Sequence, residues 1–212
     1  MKHVAESTVR RLSLYLRFLE EFEARAHTTI SSGELARLGG TTSAQVRKDL
    51  SFFGSFGKRG LGYNVAELIT AIREILGLDK TWPLIIIGAG KIGAALALYR
   101  GFSSRGFTVV GVYDRDPARI GQRLEGLTIR SQDELERDIV RLKAKIAVLS
   151  VPGDAAQALL DRVTKAGIRA VLNFAPVPLR VPKGVTLRAV NMATELEILT
   201  FALTKRVESD AP

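Results

Sequence analysis

The stretch Trp82–Asp116 constrains this chain more than any other. Pro83-Leu84-Ile85-Ile86-Ile87 is short, rich in β-branched residues and apolar enough to form a strand buried on both faces. Gly88-Ala89-Gly90-Lys91-Ile92-Gly93 follows at once and opens a helical pattern through Ala94, Ala95, Leu96, Leu98 and Tyr99. A second strand, Phe107–Tyr113, ends at Asp114, 21 positions beyond Gly93. Strand, glycine turn, helix, strand and acid in that order are the parts of a dinucleotide site. Gly88 permits the tight turn, Gly90 admits a diphosphate close to the backbone, and Gly93 lets helix and strand pack. N–H groups at the helix start would bind the phosphates. Asp114 would accept the ribose hydroxyls and repel the extra phosphate of NADP, so the cofactor expected is NAD(H).

The α/β alternation continues. Leu127–Arg130, Lys145–Val151, Ala170–Leu172 and Val185–Val190 read as strands. Ser131 with Glu134 caps a helix to about Leu142, and Ala155, Ala158, Leu159 and Val163 mark another that ends at Gly167. Ligands of an open parallel sheet lie beyond the carboxyl ends of its strands. Gly88–Gly93, Asp114, Ser150-Val151-Pro152 and Asn173-Phe174-Ala175-Pro176 would share that edge. Ordinary turn chemistry is the other reading of the last two groups.

Upstream the pattern is helical. Ser7 or Thr8 can cap a helix whose apolar positions run from Leu12 to Phe22. Ser31 with Glu34, and Thr42 with Gln45, form two capping boxes around Leu38-Gly39-Gly40, which predicts a helix-turn-helix. In its second helix, about Ser43–Phe53, Val46 and Leu50 face inward and leave Gln45, Arg47, Lys48 and Ser51 for base edges and phosphates. The aromatic and glycine-rich run Phe52–Tyr63 predicts a β-hairpin wing with Lys58 and Arg59 near its tip. Asn64 with Glu67 caps a further helix, Val65–Leu76, before Gly77. Lys80-Thr81-Trp82-Pro83 is a joint, and the domain boundary is placed there.

Charge supports a polyanionic partner only through its distribution. The chain is +9 overall. Met1–Arg17 and Thr41–Tyr63 are each +3, whereas Phe18–Gly40 is −2, so cations fall where a winged helix meets DNA. A solvated basic surface is the plainer reading. Cysteine is absent and His3 and His27 are the only imidazoles, which excludes thiol redox switches and leaves no metal site or catalytic residue to nominate. No apolar run approaches the roughly 18 residues of a membrane span. With no leader visible at the start, a soluble cytoplasmic protein is expected.

The last helix, Met192–Arg206, has apolar residues on more than one side: Met192, Leu196, Leu199 and Leu203 on one stripe, Ile198, Phe201 and Ala202 on another. Homodimerisation through it is one reading, a terminal core helix the other.

The whole pattern resembles the Rex family of redox-sensing transcriptional repressors. Arg11-Leu12-Ser13-Leu14-Tyr15-Leu16-Arg17, Gln45–Gly54, Gly60-x-Gly62-Tyr63-x-Val65, Gly88–Gly93 and Asn173–Pro176 carry the likeness, which covers nearly the whole chain. The resemblance implies an α/β protein: a winged-helix domain over 1–80, a Rossmann-type doubly wound parallel sheet over 81–190, and a C-terminal helix over 191–212 exchanged between the subunits of a homodimer. It implies palindromic operators of respiratory and fermentative genes, bound when NAD⁺ dominates and released by NADH. The DNA-contacting set becomes Arg11, Arg17, Ser43, Gln45, Arg47, Lys48, Ser51, Lys58, Arg59, Gly60 and Tyr63. An Arg matching Arg17, a Tyr matching Tyr99 and an Asp near the last helix relay redox state in the family. That Asp position reads Asn191 here, which removes a charge able to pair with Arg17.

Two other functions fit parts of the chain. One is an NAD-dependent dehydrogenase with an appended module, although the C-terminal domain has no His to move a proton. The other is a DNA binder that answers to another nucleotide, such as CoA.

Overall fold

The computed structural model describes residues 4–57 and 61–209, with side chains up to Thr204. It divides into two compact units, Met1–Lys80 and Thr81–Pro212.

In the first unit, α1 (Glu6–Ala24) leads to β1 (Thr29–Ile30), α2 (Ser32–Leu38), α3 (Ser43–Ser51), β2 (Tyr63–Asn64) and α4 (Val65–Ile75). Local caps fix most of these starts. Ser31 and Glu34 close a reciprocal capping box on α2, and Asn64 accepts from the Glu67 N–H at α4. Thr42 accepts from the Gln45 N–H, but the Gln45 side chain turns elsewhere, so that box is half made. The expected cap of α1 is wrong: Ala5 stands at the cap with no side-chain bond, and Thr8 lies inside the helix, where its hydroxyl donates to Asp49. The expected hairpin is also corrected. Tyr63–Asn64 pairs antiparallel with Thr29–Ile30, so the wing's partner strand precedes α2. Leu12, Tyr15, Leu16 and Leu19 of α1 pack with Val46, Leu50, Leu68 and Ile72 in one core.

The second unit runs β3 (Trp82–Ile87), α5 (Lys91–Ala97), β4 (Phe107–Asp114), β5 (Arg123–Leu124), β6 (Leu127–Ser131), α6 (Leu135–Arg141), β7 (Ile146–Leu149), α7 (Gly153–Lys165), β8 (Ala170–Asn173), β9 (Thr186–Ala189) and α8 (Met192–Ser209). The sheet order is β5-β6-β4-β3-β7-β8-β9, parallel throughout except for the short edge strand β5. The first strand of the unit is therefore central, and the chain winds outward from it in both directions. Ser131 begins a 3-10 turn by accepting from the Asp133 N–H, not the Glu134 box expected, and α6 follows that turn. Apolar layers cover both faces: Ile85, Ile87 and Leu149 meet α6 and α7, while Leu84, Ile86 and Val148 lie on the other side with Leu96.

Candidate functional site

The strand order reverses between β3 and β7, and a cleft of about 340 Å³ opens at their carboxyl ends, lined among others by Gly88, Gly90, Asp114, Arg119, Ser150 and Val151. Gly88 has φ of 95°, and a Cβ there would drive into the Ser150 carbonyl. A Cβ on Gly93 would meet the Gly88 carbonyl, the close helix–strand approach that the motif requires. Gly90 differs, since among the described residues the only atom near its missing Cβ is Nη1 of Arg119, at 3.2 Å. That side faces the cleft and is free of backbone atoms, which suits a diphosphate brought against the glycine.

Asp114 is 6 % exposed at the end of β4. Its Oδ2 accepts from the Ala89 N–H at 2.6 Å and its Oδ1 from the Asp116 N–H at 2.9 Å. The carboxylate therefore sits over the glycine turn, where a ribose would arrive. Nη1 of Arg119 is 3.5 Å from Asp114 Oδ2, and its Nε is 3.4 Å from Asp116 Oδ2. Sequence reasoning passed over Arg119; its signal was a cation in the turn just after the motif's acid. Ser150 donates to the carbonyls of Ile87 and Gly88, so it shapes the turn, with Val151 and Pro152 beside it on the cleft wall. Lys91 and Ile92 are exposed at the start of α5. Asn173 is buried and bonds Ala175 through both amide atoms, so it builds the Asn173–Pro176 turn; Phe174 packs toward the core. Asn173 ends β8 beside β7, Phe174, Ala175 and Pro176 follow in the turn, and none of the four is among the residues lining the cleft.

In the first unit, α3 presents Arg47 and Lys48 outward while Val46, Asp49 and Leu50 are buried. Arg47 donates to Ser32 Oγ, which ties α3 to α2, and the Ser51 hydroxyl donates to the Lys48 carbonyl. Ser43 is half-buried. Two expected DNA contacts are engaged elsewhere. Arg11 binds both oxygens of Asp49, at 2.6 and 2.7 Å, and Gln45 donates to the same carboxylate at 2.9 Å. The Tyr63 ring is buried in the core, which raises its pKa above the ordinary value and leaves little of the side chain exposed. Lys58, Arg59 and Gly60 lie outside the described residues.

Asp49 is wholly buried and also accepts from the Tyr15 and Thr8 hydroxyls. Burial would raise its pKa, but the bonds from Arg11, Gln45 and Tyr15 outweigh it and hold the carboxyl below its usual range. This residue counted as surface charge in the sequence.

Of the expected relay, Arg17 is exposed on α1 with Glu21 at 3.7 Å, and Tyr99 is exposed just beyond α5 with its ring edge-on to Phe102. Asn191 accepts from the Ala193 N–H at the start of α8. Met192, Leu196, Ile198, Leu199, Phe201 and Leu203 of that helix are all exposed in the single chain. Among the described residues no helix is long and apolar enough to cross a membrane.

Two family models match the chain: one described as a putative DNA-binding protein N-terminus, over residues 3–51, and one described as a CoA binding domain, over 79–177. The redox-sensing transcriptional repressor Rex of Pelotomaculum thermopropionicum is 47% identical over 98% of this chain and 97% of its own length. Rex of Streptomyces coelicolor is 45% identical over 98% of this chain and 81% of its own. Among solved structures, RSP, a Rex-family repressor, superposes with a TM-score of 0.90 at 39% identity, covering 97% of this chain and 96% of that one. RSP in complex with β-NAD⁺ and operator DNA gives 0.91 at 38% identity over the full length of both chains. RSP with β-NADH gives 0.89 at 38% identity over 97% of each.

Proposed function

This chain belongs to the Rex family of redox-sensing transcriptional repressors, and we propose that it binds operator DNA through its first unit and releases it when NADH occupies the cleft of the second. The observation that carries the reading is Asp114, held over a glycine turn whose open side faces that cleft. The cofactor is NAD(H). The carboxylate suits ribose hydroxyls, and solved RSP complexes contain β-NADH in one case and β-NAD⁺ with operator DNA in another. On the DNA side, the exposed Lys48 and Arg47 of α3 contact base edges and phosphates, with Arg17, Ser43 and Ser51 available to the backbone, and the sequence adds Lys58, Arg59 and Gly60 as candidates. Arg11 and Gln45 act at one remove, by fixing α3 on α1 through Asp49.

The protein is a regulator, as its repressor relatives are, and the dehydrogenase alternative loses ground with them. It works as a homodimer on palindromic sites of respiratory and fermentative genes in the cytoplasm. The apolar residues exposed around α8 support a dimer built through that helix, exchanged between subunits, with Arg17, Tyr99 and Asn191 relaying the redox state. NADH and NAD⁺ differ by a hydride and a ring charge, so the pocket shifts the DNA-binding equilibrium only by its preference between them, about 1.4 kcal/mol for each tenfold.

A gel-shift series with a palindromic operator tests the proposal. NADH should release the DNA, NAD⁺ should not, and CoA should be inert. Retention of the operator in saturating NADH, or release by CoA alone, would overturn it.

A further inference from the structure

We infer that Arg119 is the cation that holds the diphosphate of the bound dinucleotide, and that in the ligand-free chain it rests on the two acids at the end of β4. The inference stands on the dinucleotide reading above and adds to it a residue outside the glycine motif.

Arg119 lies in the turn after Asp114, which is stapled by the Ala118 N–H on Asp116 Oδ1 and the Arg119 N–H on the Asp116 carbonyl. Its guanidinium approaches Asp114 at 3.5 Å and Asp116 at 3.4 Å. Both distances exceed the roughly 2.7–2.9 Å of a charge-assisted hydrogen bond. The side chain is also 42% exposed, so this hold is weak. Among the described residues, the same Nη1 is the only atom near the missing Cβ of Gly90. Gly90 is where the motif clears room for the diphosphate, so the guanidinium borders the place the phosphates would fill.

Asp114 is in the complementary position. Both of its oxygens are already engaged by backbone N–H groups, from Ala89 and Asp116. An arriving dinucleotide brings two negative charges to Gly90 and two ribose hydroxyls to Asp114. Arg119 exchanges two long contacts to carboxylates for a fork on phosphate oxygens, and Asp114 takes the hydroxyls in place of its counter-ion. The diphosphate is common to both redox states, so this residue sets affinity without favouring either one.

Calorimetric titration of the full-length protein with NADH, NAD⁺, ADP-ribose and adenosine separates the outcomes. Arg119→Ala should weaken all three diphosphate ligands by the same factor, about tenfold to a hundredfold, and leave adenosine and ligand-free operator binding unchanged. Arg119→Lys should recover part of the loss, because it keeps the charge but not the fork. Wild-type affinity of Arg119→Ala for ADP-ribose would overturn the inference. So would an equal loss of adenosine, which would mean stacking on the base, or an equal loss in Arg115→Ala, which would mean diffuse charge. A wild-type protein that binds no dinucleotide would instead defeat the underlying reading.

Discussion

Each unit of this protein buries one aspartate completely beneath a tyrosine hydroxyl, and the two carboxylates are balanced in different ways. Asp49, on the buried side of α3, has a single cation among the described residues: Arg11, whose side chain is 25% exposed and grips both oxygens. Its other partners, Tyr15, Thr8 and Gln45, are neutral. Asp138, behind β4, is ringed by Arg130 at 2.7 Å, Arg141 at 2.9 and 3.0 Å and Arg137 at 3.4 Å, with Tyr113 at 3.0 Å. Those guanidiniums are between 31% and 66% exposed. One hub is a closed neutral pair; the other is a buried anion under a solvated cationic ring. Each stands beside a functional element, since Asp49 belongs to the proposed DNA-reading helix and Tyr113 immediately precedes Asp114.

The difference decides what removal of each carboxylate costs. Without Asp49, Arg11 keeps a half-buried charge, the Tyr15 and Thr8 hydroxyls lose their acceptor in the core, and Thr8 keeps only its bond from Arg11. Asp49→Ala should destabilise the first unit by about 3–5 kcal/mol, read as lost hydrogen-exchange protection in α1 and α3, and should abolish operator binding. Without Asp138, the three arginines can turn to water and only the Tyr113 hydroxyl is stranded. Asp138→Ala should cost about 2 kcal/mol in urea unfolding followed by Trp82, the only tryptophan, which begins β3. Equal losses in the two variants would break the contrast.

Neither hub is legible in the sequence, although the elements beside them are. Glycine turns and helix caps are written within a few residues, so Gly88–Gly93, Asp114, Ser31 with Glu34, and Asn64 could all be read directly. Asp49 could not. Its neighbours Arg47 and Lys48 are exposed, and the residues that bury it, Arg11 and Tyr15, lie 38 and 34 positions away. The wing failed for the same reason, because Tyr63 finds its strand partner at Ile30 across α2 and α3. The charge tally survived the oversight, since Arg11 and Asp49 cancel each other and leave the basic surface unchanged. Arg119 was missed for a different reason: cations are common in surface turns, and only its distance from Gly90 sets it apart.

Acid should affect both hubs in the same direction. Each carboxyl is held below its ordinary value, with burial opposing the shift and the hydrogen bonds from arginine and tyrosine overcoming it. The unfolded chain therefore binds protons first, at a pKa of about 3.9. The stability each group confers is complete above that value and lost as pH falls through the lower folded one. Asp49→Asn, which cannot titrate, should shallow the acid limb of the first unit by up to about 1.4 kcal/mol per pH unit, the slope of one proton. An unchanged limb, read by hydrogen exchange in α1 and α3, would mean that the depressed pKa belongs to another group.

The smallest effect is the sharpest comparison. Tyr15 and Tyr113 each donate to their aspartate at 3.0 Å, and both rings are wholly buried. Burial and the neighbouring carboxylate raise both phenols, Tyr113 to about 12, so each stays protonated as a donor across the physiological range. Tyr15→Phe and Tyr113→Phe leave the ring packing intact and remove one hydrogen bond each, at about 1 kcal/mol apiece. Near-equal stability losses are expected, because the arginines that distinguish the hubs are untouched. The functional losses should divide. Tyr15→Phe loosens α3 and weakens the operator complex with little change in NADH affinity, while Tyr113→Phe loosens the end of β4 and weakens NADH with little change in DNA binding. If either substitution moved both affinities equally in parallel gel-shift and calorimetric titrations, the two hubs would not be the separate supports that their wiring implies.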